Sequence, residues 1–189
     1  MFLPNFDYVL ESNSWVYWGL AIAEIGVVLY LSARINTMSQ TTATLLFYLY
    51  ALLNGVTLSL IFYVYSLGSI ATTFFVTAGT FGAMSVYGYF TKTDLSKFGS
   101  ILVMALFGLI ICILVNLFLQ SSTFDFIISG VGVLIFTGLT AWDTQKIKRL
   151  AELNPGASDG RLATIGALML YLDFINLFLY LLRFLGSRD

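Results

Sequence analysis

Six long apolar runs alternate with short polar breaks along the whole chain, at 15–33, 41–65, 69–90, 97–119, 124–150 and 161–185. Each is long enough to cross a bilayer as a helix, which takes about 20 mostly apolar residues. No strand is expected. The breaks at Asn36-Thr37-Met38-Ser39, Leu67-Gly68-Ser69 and Lys92-Thr93-Asp94 are too short for anything but antiparallel helical neighbours. The longer hydrophilic connector, 152–160, contains Pro155 and Gly156 and leads into the last run. The fold class is therefore all-α, a polytopic membrane helix bundle forming a single transmembrane domain over 1–189, with six predicted spans.

The last run is organised differently from the others. Its core, Leu170-Tyr171-Leu172-Asp173-Phe174-Ile175-Asn176-Leu177-Phe178, carries an aspartate near its middle. An ionisable group at that depth costs several kcal/mol unless it is neutralised, paired or hydrated, so it turns towards protein or a water-filled cavity. At helical spacing Gly166, Met169, Asp173, Asn176 and Tyr180 share one side, while leucine, isoleucine and phenylalanine cover the rest. A helix apolar nearly all round is a buried one, here with a polar seam starting at Asp173.

Composition agrees with the pattern: 59% of the 189 residues are hydrophobic and 10% charged, with a mean hydropathy of +0.90. The net charge of −1 offers neither a nucleic-acid footprint nor an evident basic surface for anionic lipids. Histidine is absent, which removes imidazole proton switches, His-dependent nucleophilic catalysis and the commonest zinc ligand. Cys112 is the single cysteine and lies in an apolar run, so no intrachain disulfide forms, and it reads as a small packed residue. No enzyme chemistry is expected.

Small residues recur at four-residue spacing, as Gly55 and Ser59, Ala78 and Gly82, Gly79 and Ala83, and Gly108 and Cys112. In lipid such pairs let helix backbones approach closely, and helix packing is the reading adopted for them. Trp15, Tyr17 and Trp18 mark the interface end of the first run. The acidic start, with Asp7 and Glu11 and no basic residue, is not a signal peptide. Arg34, Lys92, Lys97, Lys146, Lys148, Arg149 and Arg161 fall on one side of the membrane, and only Arg183 and Arg188 on the other. The first set is expected to be cytoplasmic, with both termini outside.

Ionisable residues within the runs are where function is sought. Asp143, in Leu139-Thr140-Ala141-Trp142-Asp143-Thr144-Gln145-Lys146, and Asp173 come at similar depth on consecutive helices. Two carboxylates in contact do not both ionise cheaply, so such a pair holds one proton between them. Asp143 is otherwise an interfacial residue paired with Lys146 or Lys148, and Asp173 otherwise has Arg34 or Asn54 as a structural partner. Glu24 is either a packed interhelical donor or a lining residue of a cation path. Arg183 is expected to snorkel to the outer interface, and Asn54 to make an interhelical hydrogen bond.

The segments Gly138-Leu139-Thr140-Ala141-Trp142-Asp143-Thr144-Gln145-Lys146-Ile147-Lys148 and 170–178 resemble the two signature motifs of the Bax inhibitor family, the transmembrane Bax-inhibitor-motif proteins, in its bacterial branch. Gly79-Thr80-Phe81-Gly82-Ala83-Met84-Ser85 and Glu24 extend the resemblance over nearly the whole chain. It implies a multi-pass protein of the bacterial inner membrane whose last helix is encircled by the others. It also implies a pH-sensitive calcium leak, with Asp143 and Asp173 as the sensor pair and gate, and Arg34 as the switchable partner. Family members usually have seven spans, the extra one preceding the first run found here. The expectation is either that Met1 is not the natural start or that another subunit completes the wall.

The function expected is a passive, proton-regulated calcium leak. Glu24 and Asn54 line the path, with the Glu24 and Asp173 carboxylates as oxygen ligands for calcium, a hard cation. Calcium is the transported ion, and no cofactor is expected. A regulator that binds another membrane protein, a protease or a cell-death factor, is the second reading. Proton-coupled transport needs broken helices at mid-membrane, whereas proline occurs only at Pro4 and Pro155.

Overall fold

The computed structural model describes residues 14–34, 37–153 and 160–187. The side chains of the predicted interface aromatics Trp15, Tyr17 and Trp18 and of Arg161, the acidic start and most of the 152–160 connector lie outside the described parts. Among the described residues seven helices follow one another: α1 (Ser14–Arg34), α2 (Gln40–Leu58), the single turn α3 (Ile61–Val64), α4 (Leu67–Phe90), α5 (Ser96–Leu119), α6 (Ser122–Leu153) and α7 (Gly160–Leu185). There is no strand among the described residues. Among the described residues five segments are long and apolar enough to cross a membrane, namely Gln40–Val64, α4, α5, α6 and Leu162–Leu185, and α1 contributes the shorter apolar stretch Ile22–Leu31. The chain is a multi-pass membrane protein. It divides into two compact units, 1–63 and 64–189.

In unit 1, α1 packs against α2. Ser39 starts α2 by accepting a hydrogen bond from the Thr42 N–H at 3.1 Å, which satisfies one of the free donors of the first turn. The run expected to be continuous over 41–65 is interrupted at Ser59-Leu60. There the Ser59 hydroxyl donates to the Val56 carbonyl at 2.6 Å, and the Leu60 N–H reaches only three residues back, to Thr57 at 3.2 Å. A hydroxyl that competes for the helix's own carbonyls and a last turn tightened in this way end the helix without proline.

In unit 2, α6 packs against α4, α5 and α7, and α7 packs against α6 and α4. Within this unit α7 thus packs on two helices, whereas α6, which packs on three, holds the more central position. Leu102 and Leu109 of α5, Ile128, Ile135, Phe136 and Leu139 of α6, and Leu177 and Leu181 of α7 form one buried cluster. Cys112 packs on its edge, as a small apolar residue would. The α5–α6 turn is tight because Gln120 takes a left-handed backbone (φ 50°), while the Asn116 side chain accepts the Ser121 N–H at 3.1 Å. The lipid-directed face of α5 keeps Phe107, Leu117 and Phe118 exposed.

The small-residue pairs do not pack as expected. At Gly79, Gly82 and Gly108 no atom of unit 2 lies within 4 Å of where a Cβ would sit. Close approach occurs instead at Gly88, where a Cβ would fall on the carbonyl of Ala141, and at Gly99, which receives the ring of Trp142. Four-residue spacing marks faces able to pack closely, but which face is used depends on the neighbour, and α6 lies against the other side of α4 and α5.

Two expectations arise from this architecture. In a Cys112→Ser background, a cysteine at Thr93 is labelled by an impermeant maleimide only from the cytoplasmic side and one at Ser122 only from outside, and the reverse pattern overturns the orientation. Gly88→Ala lowers the thermal midpoint in detergent, at a cost of about 1–3 kcal/mol, because backbone cannot yield to the new methyl. Gly79→Ala leaves that midpoint unchanged or raises it, since an open mid-helix position gains about 1 kcal/mol from the same change.

Candidate functional site

Two sets of polar side chains lie within the helices. In unit 1, Glu24 of α1 accepts from the Asn54 amide at 3.3 Å and, closer, from the Thr57 hydroxyl, both on α2. Asn54 thus makes the interhelical bond expected of it. Glu24 is the acceptor of the trio, half-buried rather than sealed. Arg34 ends α1 with its side chain exposed, and its carbonyl caps the following turn by accepting the Thr37 N–H at 2.9 Å.

In unit 2, Asp143 and Asp173 are carried by the tightly packed pair α6 and α7. Tyr180 covers Gly132 and stacks on Phe136 (5.6 Å between rings), and Gly166 meets Ile147 one end further on. This antiparallel register puts Asp173 level with Leu139 and Thr140, offset from Asp143 by about one helical turn, about 5 Å, along the helix axis. Asp173 is 4% exposed, and its Oδ2 is buried with no hydrogen-bond partner among the described residues.

The surrounding hydroxyls are satisfied differently. Thr77, Ser129 and Thr140, all fully buried, each donate to a carbonyl one turn back on their own helix, at 2.7–2.8 Å. Asn176, the next residue of the polar seam, does the same to Leu172 at 2.8 Å. An ionised carboxylate only accepts, so that escape is open to Asp173 only when it carries a proton. Asp143, half-buried, makes no ion pair with a described residue. Lys146 lies over the Trp142 ring at 4.9 Å, although its charge is still felt at Asp143. Lys148 donates to the Tyr89 carbonyl at 2.9 Å and faces Glu152 at 3.8 Å. Among the described residues no cluster of three or more carboxylate or thiol ligands gathers.

Sequence reasoning missed the side chain that fastens this end of the unit. Gln145, 5% exposed, accepts the Leu95 N–H at 2.9 Å and donates to the Thr93 carbonyl at 2.8 Å, which ties α6 to the α4–α5 turn. Arg149 adds bonds to Asp94 (2.9 Å) and Ser96 (3.2 Å). The Ser96 N–H and hydroxyl, followed by Arg149, hold the Asp94 carboxyl down at about 2. A depressed carboxyl of this kind contributes above about pH 4, its unfolded value, and its contribution is lost only as pH falls towards about 2, so this fastening does not titrate in the neutral range. The one available signal was a polar amide inside a stretch otherwise read for its aspartate.

At the other end of the unit, Arg183 does not simply snorkel. It pairs with Asp125 of α6 at 3.4 Å and lies over the Tyr180 ring at 5.8 Å. A cation on α7 within reach of an acid on α6 is better satisfied there than by extending alone into the interface.

The fold and site define a class: a polytopic helical membrane protein with a buried aspartate on its last helix and a second, half-buried one on the preceding helix. The family model described as inhibitor of apoptosis-promoting Bax1 matches residues 2–189, and the chain belongs to this Bax inhibitor family. It is similar to the inner membrane protein YbhL of Escherichia coli K12, with 52% identity over 183 residues, covering 95% of this chain and 78% of that protein. An uncharacterised protein of Borreliella burgdorferi is 52% identical over 182 residues, with the same shares of 95% and 78%. An uncharacterised membrane protein of Streptococcus pyogenes serotype M3 is 40% identical over 190 residues, covering 100% of this chain and 82% of that protein.

Replacing Gln145 by leucine leaves the Leu95 N–H and the Thr93 carbonyl without partners. Each costs about 1–3 kcal/mol when buried, so Gln145→Leu is expected to lower the detergent thermal midpoint clearly, while Lys97→Gln on the exposed surface leaves it within error.

Proposed function

We propose that the protein is a pH-sensitive calcium leak of the bacterial inner membrane, conducting rather than catalysing, and gated by a proton shared between Asp143 and Asp173. The observation that carries this reading is the Asp173 carboxyl, buried with Oδ2 unpartnered and set within about one helical turn, along the helix axes, of Asp143. A second carboxylate one turn away makes the charge state of one residue a condition for the other. Gaining or losing the shared proton changes how α6 and α7 meet. Two helix arrangements separated by a few kcal/mol are moved by a change of about 1.4 kcal/mol per pH unit. Arg34 is the switchable partner in this proposal, and Glu24 and Asn54 line the ion's path. The name of the E. coli relative supports the inner membrane as the location.

A second reading, a regulator that docks another membrane protein, draws on the open small-residue face of α4 at Gly79 and Gly82. Calcium flux by purified protein in liposomes separates the two. Asp143→Asn and Asp173→Asn each flatten the pH dependence of the flux, because asparagine keeps the shape but does not titrate. Their combination adds less than about 0.5 kcal/mol, roughly twofold in rate, beyond either single change, since the two act as one unit. Glu24→Gln changes the size of the flux and leaves its pH midpoint in place. Aspartate variants that keep the wild-type pH profile refute the sensor, and wild-type protein without flux favours the docking reading.

A further inference from the structure

The whole-chain charge of −1 conceals an uneven distribution. At the end of unit 2 where α4 turns into α5, the described residues supply Lys92, Lys97, Lys146, Lys148 and Arg149 against only Asp94 and Glu152. Asp94 is engaged by Arg149 and Glu152 faces Lys148, while Lys146 lies over the Trp142 ring, with the half-buried Asp143 three residues back on the same helix. At the opposite end the described charges, Arg183 and Asp125, compensate each other.

A pocket of about 240 Å³ opens beside Lys146, between the start of α5 and the last turns of α6. Ser96, Trp142, Lys146, Arg149, Leu150 and Leu153 line it, and no acidic side chain among the described residues does. The Ser96 N–H is already taken by Asp94 at 3.0 Å, so the anion donors here are side chains and not the helix end. On Arg149, Nη1 carries the bonds to Asp94 and Ser96, and the other face of the guanidinium has no described partner. The level matters as well. With the span of α6 opening near Phe124, about 20 residues carry it to the hydrocarbon edge close to Asp143, so Lys146 and Arg149 stand at headgroup height with the Trp142 ring just below. Basic pockets between helices at that height on the cytoplasmic side suit anionic headgroups.

We propose that this pocket is a binding site for the phosphate of an anionic phospholipid, with Lys146 as the principal contact and Arg149 and Ser96 beside it. The acyl chains lie along the exposed flank of Phe98 and Ile101 on α5. At about 30 Å³ per water, the volume equals several waters and admits a phosphate with part of its glycerol. The site does not depend on the leak reading. Its occupant would, however, set the field one turn from Asp143, because the charge of Lys146 is felt there.

The test is a titration of purified protein in uncharged detergent with dioctanoyl phosphatidylglycerol, dioctanoyl phosphatidylcholine and inorganic phosphate, read as thermal stabilisation and as bound lipid by native mass spectrometry. Phosphatidylglycerol is expected to stabilise saturably and to be retained, phosphatidylcholine far less. Lys146→Gln weakens the phosphatidylglycerol half-saturation about fivefold and Lys146→Arg restores it, whereas Lys92→Gln, outside the pocket, changes it less than about twofold. Equal affinity for the two lipids overturns the proposal. Equal losses in the Lys146 and Lys92 variants also overturn it, in favour of a diffuse positive surface. Saturation by inorganic phosphate as tight as by phosphatidylglycerol, and lost in Lys146→Gln, would reassign the pocket to a soluble phosphate. Because Arg149→Gln loosens the Asp94 fastening, the Lys146 variants are the deciding ones, and their unliganded midpoint must match wild type.

Discussion

The packing of α6 against α7 carries most of what is specific in unit 2, and it does so around a carboxyl that has nowhere to put one of its oxygens. Water is absent from the hydrocarbon region, so polar groups there are satisfied by the protein or remain costly. The buried hydroxyls of α4 and α6 solve the problem locally by donating to their own helix, and Asn176 follows them. Asp173 has no such solution in its charged form. Its cost is offset by good packing on either side, where the Tyr180 ring fills the space over Gly132 and Phe174 is clasped between Phe74 and Phe81. A strained polar group in a well-packed seam is the usual condition for a site whose arrangement responds to a proton.

Around that seam the unit is fastened unequally. Three polar side chains, Gln145, Lys148 and Arg149, bind the C-terminal part of α6 to the end of α4 and the start of α5. The ring of Trp142 against Gly99 and the backbone contact at Gly88 close the same region by shape. α7 meets α6 mainly through apolar contacts and aromatic stacking, with the Arg183–Asp125 pair near its far end. Directional bonds thus hold α4, α5 and α6 together beside Asp143, while the face towards α7 relies on dispersion and fit, which tolerate small displacements better than hydrogen bonds do. Membership of the Bax inhibitor family is consistent with this division, since both family-like segments, 138–148 and 170–178, meet at that face.

Helix class, the succession of apolar runs and the existence of a charged residue on the last helix were determined by the sequence alone, because twenty-residue apolar runs and mid-run aspartates leave few physical options in lipid. The level of Asp143 and Asp173 was also legible, since rise per residue and short connections set depth without knowledge of packing. What only the tertiary structure decided was which faces meet. The small-residue pairs Gly79 and Ala83, and Gly108 and Cys112, look equal to Gly88 and Gly99 in sequence, yet of these glycines only Gly88 and Gly99 receive a neighbour. The interruption at Ser59, the capture of the α4–α5 turn by Gln145 and the pairing of Arg183 with Asp125 were hidden for the same reason. A hydrophobic pattern that covers the whole circumference of a helix specifies that it is surrounded, but not by what, and partner choice then falls to contacts between residues far apart in the chain.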